Sequence, residues 1–186
     1  MVSWIDLLWP SLLSAVLVFV ASSVIHMVLK LHNVDYKKLS NEDEVRAALR
    51  KGSPAPAQYL MPHCADSKEM ASPEMARKLE EGTNAVIYVR PNGAPKLGPF
   101  LGKWVLYSLV ISLLAGYVAR SALAPGAAYL SVFQIVGASA WLAYAWQSPS
   151  DSIWKGKPWS VTFRAMVDGL IYAALTAGSF AWLWPR

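Results

Sequence analysis

Four long apolar stretches constrain this chain more than anything else in it. They run from about Leu7 to Leu29, Trp104 to Ala122, Ala127 to Trp146 and Phe163 to Trp184. A helix needs roughly 20 mainly apolar residues to cross about 30 Å of hydrocarbon, and each stretch approaches or exceeds that length. The turn Ala124-Pro125-Gly126 between the second and third is too short to hold a domain. Composition agrees: charged residues are 16% of the 186, against about 25% in a typical soluble domain. The fold expected is therefore a membrane all-α bundle of four transmembrane helices, with a small α+β segment between the first and second. The organisation follows as 1–30 for the first helix, 31–103 for the water-exposed segment and 104–186 for the remaining three.

A cleaved signal peptide is the rival reading of the first stretch. It needs a basic start and a short apolar core. Here the start carries Asp6 and no Lys or Arg, and the apolar run is longer than such a core. A retained helix is expected.

Cation placement gives an orientation. Of seventeen Lys and Arg, twelve lie between the first two spans and three (Lys155, Lys157, Arg164) between the third and fourth. Only Arg120 and Arg186 fall on the other side. Cytosolic loops carry the excess of positive charge, so 31–103 should be cytosolic and both termini periplasmic. The net charge of +5 then reflects topology, and no nucleic-acid partner is expected. Trp and Tyr favour the two membrane boundaries; Trp4, Trp9, Tyr129 and Trp182 fall at one, and Trp104, Tyr144, Trp146 and Trp159 at the other.

Within 31–103, Ser40 to Glu44 precede Val45 to Lys51, with acids first, bases last and Gly52 beyond. That is the charge order a helix favours. Ser72-Pro73-Glu74 signals a second helix ending at Gly82, a cap followed by Pro at the first helical position. Gln58 to Met61 and Ala85 to Val89 read as strands. Two strands alone are marginal in water. The segment is expected to seek the membrane lipid, a second copy of the chain or a protein partner.

No catalytic signature is present, and a non-enzymatic protein without a cofactor is expected. Met61-Pro62-His63-Cys64 places the single cysteine beside a histidine, and His26 and His32 close the first helix. Thiolate, thioether and imidazole suit Cu(I) or Zn, so His63, Cys64, His26 and His32 are candidate metal ligands. The paired ligand spacing of zinc sites is missing. Ser11, Ala15, Ser22 and His26 recur near helical spacing and form a packing face or, alternatively, a polar lining. Arg164 and Asp168 lie four apart and are expected to pair along one face; Gln134 is expected between helices. Trp154, Lys155, Lys157 and Trp159 should rest on the anionic leaflet.

Asp35-Tyr36-Lys37-Lys38-Leu39, Glu42, Val45 to Arg50 and Tyr59 to Cys64 resemble stretches of small bacterial inner-membrane proteins with four transmembrane helices. The resemblance covers about residues 20 to 120. It implies placement in a bacterial inner membrane and no activity. The first functional expectation is a membrane scaffold or accessory protein acting by homo-oligomerisation or partner docking. A small channel or transporter is the alternative, and Cu or Zn handling a further one.

Overall fold

The computed structural model describes residues 2–186. In chain order its elements are α1 (Leu8–Ser23), α2 (Glu42–Gly52), β1 (Gln58–Met61), α3 (Ser67–Met70), α4 (Pro73–Glu81), β2 (Ala85–Tyr88), α5 (Leu97–Ala122), α6 (Tyr129–Ala145), α7 (Gln147–Lys155) and α8 (Trp159–Trp182). They form two compact units, one of residues 2–36 with 96–186 and one of 37–95.

In the first unit α8 packs along both α1 and α6, and α5 packs against the same two helices. Small residues make the close approaches. A Cβ built on Gly169 would lie 2.8 Å from the Ala145 Cβ, and one on Gly116 would lie 2.6 Å from the Phe180 ring. Leu7, Val132, Val136, Ala173, Ala177 and Phe180 fill the centre. Hydroxyls share this interior: Ser11, Ser14, Ser108, Ser112 and Thr176 are buried. Ser14 donates to the Ser11 carbonyl, and Ser112 pairs with Ser14 between α5 and α1. Large apolar side chains such as Trp9, Leu114, Leu130 and Phe163 point outward. An interior of small and hydroxyl residues under an apolar exterior is how helices associate in lipid.

Three helical stretches, Ile5–Val28, Leu97–Ala122 and Trp159–Trp182, are long and apolar enough to cross a membrane. The third stretch expected from the sequence corresponds to α6, which is shorter at 17 residues. The last helix starts at Trp159, ahead of the expected Phe163, because Pro158 opens it as the N-cap. The connection before it, whose Trp154, Lys155, Lys157 and Trp159 were expected to rest on the anionic leaflet, contains α7. Lys155 Nζ meets Asp151 one turn back at 2.7 Å, and Gly156 ends the helix in the left-handed conformation (φ 68°).

In the second unit β1 and β2 pair antiparallel, with Tyr59 opposite Ile87 and Leu60 opposite Val86. α2 has its acids first and its bases last, and α4 is capped by Ser72, whose Oγ accepts from the Met75 N–H at 3.1 Å. α4 ends at Gly82 as the sequence places it, whereas α2 runs through Gly52, expected beyond its end, and Ser53 takes the left-handed position that closes it. α3 was not expected; Asp66 caps it by accepting from the Glu69 N–H at 2.8 Å. Ala48 and Leu49 of α2, with Tyr59 and Ile87, line an apolar groove.

Candidate functional site

The site begins where α1 stops being a regular helix. Leu29 N–H donates to the Val24 carbonyl at 2.8 Å, closing a wide π turn over Val24–Val28. Such turns insert an extra residue and shift the face that later side chains occupy. His26 lies within it. Lys30 then takes a left-handed conformation (φ 52°) that reverses the chain, a position that costs a residue with a Cβ about 1 kcal/mol. A 3-10 turn over Asn33–Asp35 brings His32 and Asp35 back onto α8.

His32 is held at both ring nitrogens. Nδ1 lies 2.7 Å from Asp35 Oδ2, and Nε2 lies 2.7 Å from Asp168 Oδ2. His26 Nε2 approaches the same Asp168 oxygen at 3.5 Å, and the two imidazoles stack with centroids 4.5 Å apart. Tyr172 OH is 3.4 Å from His26 Nε2. Asp35 is anchored in turn by Arg164, whose Nε lies 2.7 Å from Oδ1 and whose Nη2 also meets that oxygen. Burial works to raise the Asp35 carboxyl. The hydrogen bonds from Arg164 and His32, with their charge, outweigh it and hold the group below the usual carboxylate range.

One donor atom each from His26, His32 and Asp168 lies within 4.8 Å of the others. Ligands about 2.1 Å from a shared ion at ordinary angles are roughly 3 to 3.5 Å apart. The 3.5 Å separation fits, and the 2.7 Å one needs to open by a few tenths. Beside the triad is a cavity of about 450 Å³ whose lining includes Ser22, Trp104, Tyr107, Tyr144, Lys157 and Tyr172. The rings pack on one another: Trp104 lies 5.5 Å from Tyr107 and 5.7 Å from Tyr172, centroid to centroid.

Some sequence expectations change here. Arg164 and Asp168 do not pair with each other. Arg164 reaches Asp35 and Asp168 reaches the histidines, because the returning chain offers each a partner outside its own helix. Gln134 is exposed on α6, two residues from Val132 and Val136 and so on the opposite face. Ser11 is buried with its Oγ unpartnered among the described residues; Ser22 lines the cavity. His63 and Cys64 belong to the other unit, where Cys64 Sγ donates to the Asp66 carbonyl at 2.8 Å, and the triad is built without them. Trp154 and Trp159 are exposed. Lys155 pairs with Asp151, whereas Lys157 donates to Ser148 Oγ at 2.9 Å on the cavity wall. Asp35 and Tyr172 were not singled out as site residues. Asp35 lies three residues after His32, a spacing that can signal an imidazole–carboxylate pair.

Comparison with protein-family models, curated proteins and solved structures finds no match for this chain.

Proposed function

We propose that this is an integral membrane protein that holds a divalent transition-metal ion between His26, His32 and Asp168. The observation that supports it best is the placement of His32. Nδ1 lies 2.7 Å from an Asp35 oxygen and Nε2 2.7 Å from an Asp168 oxygen; in the tautomer that donates Nδ1–H to Asp35, Nε2 is left to offer its lone pair to an ion beside Asp168. A carboxylate behind a metal-binding imidazole fixes its tautomer and raises its basicity, and here Arg164 fixes that carboxylate. Two imidazoles and one carboxylate suit Zn²⁺ or Fe²⁺. Three protein ligands leave a coordination position open toward the cavity.

In this reading α6 is the fourth span of a bacterial inner-membrane bundle. Residues 37–95 are cytosolic on the strength of the cation asymmetry, and the site lies at the cytosolic boundary of the bilayer. Elemental analysis of the full chain, purified in mild detergent without chelators, tests the proposal. We expect one ion per chain, most of it lost in Asp168→Asn and His32→Gln and none of it lost in Cys64→Ser. Protein free of metal, or metal that depends on Cys64, overturns it.

Self-assembly is a second reading, favoured by the two-stranded sheet, since each strand has an outer edge that can accept another strand. Native mass spectrometry from mild detergent should then show a discrete oligomer; a monomer at every concentration rejects it.

A further inference from the structure

We infer that Tyr172 supplies a fourth ligand to the ion, its hydroxyl oxygen bound as phenolate, an inference that rests on the metal reading above. The triad leaves a coordination position toward the cavity, and Tyr172 lines that cavity. Its hydroxyl lies 3.4 Å from His26 Nε2, close to the 3.5 Å that separates the same nitrogen from Asp168 Oδ2. Hydrogen bonds between such groups are ordinarily about 2.5–3.2 Å long. Donors that share an ion at about 2.1 Å stand roughly 3 to 3.5 Å apart. The contact is long for a hydrogen bond and right for two ligands of one ion.

The fold holds the hydroxyl in place. Tyr172 lies four residues past Asp168 on α8, so the two side chains leave the same face. It is 4% exposed, and its ring packs edge-on against Trp104 and Tyr144, with centroids 5.7 and 5.5 Å away. Ser22 of α1 hydrogen-bonds with the same side chain, and an O–H donor there suits an oxygen that has given up its proton. Charge points the same way. Asp35 and Arg164 offset one another, so a divalent ion over Asp168 alone leaves one positive charge uncompensated. Lys157, which donates to Ser148 Oγ on the cavity wall, adds to it. Unbalanced charge in a buried site is costly. A phenolate beside Asp168 neutralises the ion: the O–H bond breaks as the O–metal bond forms, and the proton leaves to water.

Cu²⁺ is the probe, since phenolate, unlike imidazole or carboxylate, gives it a charge-transfer band in the visible. The full chain in mild detergent is stripped of metal and loaded with Cu²⁺, and its copper content is measured beside its spectrum. The native chain should show that band, and excitation within it should enhance tyrosinate ring modes in resonance Raman. Tyr172→Phe keeps the ring and its packing. It should abolish both signals and weaken copper binding at least about tenfold against a competing chelator, the scale that loss of even an outer-shell partner reaches. Copper bound by the native chain without the band overturns Tyr172 as a ligand and leaves the triad standing. A band that survives in copper-loaded Tyr172→Phe belongs to another tyrosine and overturns it equally. Failure of the native chain to take up copper rejects the metal reading and this inference with it.

Discussion

Arg164 reaches from α8 to Asp35, its Nε 2.7 Å from Oδ1, and so ties the chain beyond α1 to the helix that carries Asp168. The Asp35 side chain is 4% exposed and that of Arg164 35%. Loss of one partner from a fully buried pair costs about 3–5 kcal/mol. Water still reaches Arg164, so Asp35→Asn should cost less, about 2 kcal/mol. In a chain of this size that lowers Tm by about 4–8 °C. Because Asn also stops holding His32 as a carboxylate does, metal affinity should fall about 10- to 100-fold. A lowered Tm with unchanged affinity would refute the orienting role.

The same tie sets a pH dependence. The folded state holds the Asp35 carboxyl below its ordinary value, against the cost of burial, through Arg164 and His32. A carboxyl lowered by folding contributes stability that is complete above its unfolded pKa, about 3.9 for Asp. That contribution is lost as pH falls through the folded value. The Tm gap between the native chain and Asp35→Asn should therefore close as pH drops below about 4. A gap that stays open well below that pH contradicts this account.

Gly169 adjoins Asp168 where α8 closely approaches Ala145 at the end of α6. An added Cβ would lie 2.8 Å from the Ala145 Cβ and 3.2 Å from its Cα. Backbone that close gives way only by moving the helix, so Gly169→Ala should cost about 1–3 kcal/mol and weaken metal binding by displacing Asp168. Gly102→Ala is the control. Its Cβ meets nothing within 4 Å, and helix propensity favours Ala by up to about 1 kcal/mol. Equal effects from the two substitutions in a thermal melt would remove packing as the cause.

Much of the bundle can be read from the sequence because its helices are long, apolar and separated by obvious breaks. The cap of α4 and the position of α2 are equally legible, since Ser72-Pro73 and the acid-to-base order along α2 are local signals. The site is not local. His26 and His32 can be named from one stretch, but their meeting with Asp168 depends on a π turn, a left-handed Lys30 and a 3-10 turn, none of which has a glycine or proline to announce it. Arg164 and Asp168 fit the spacing rule for an intrahelical pair, and only the returning Asp35 and His32 divide them. His63 and Cys64 draw attention by adjacency, a property that says little about ligand geometry.

The unit of residues 37–95 can be perturbed apart from the site. Its one buried residue is Met75, which is 2% exposed, in the first turn of α4. Everything else in the unit is partly or fully exposed, so little other apolar burial opposes its opening. Truncating a buried Met to Ala costs about 2–5 kcal/mol, and a thin core that can relax places Met75→Ala near the lower end. About 2 kcal/mol corresponds to a roughly thirtyfold rise in the opened population. Where reclosing outpaces cleavage, limited proteolysis within 37–95 should accelerate by the same factor. Metal content should not change, because His26, His32, Asp168, Asp35 and Arg164 all belong to the other unit. Cleavage at the native rate would mean that Met75 is not what holds this unit closed.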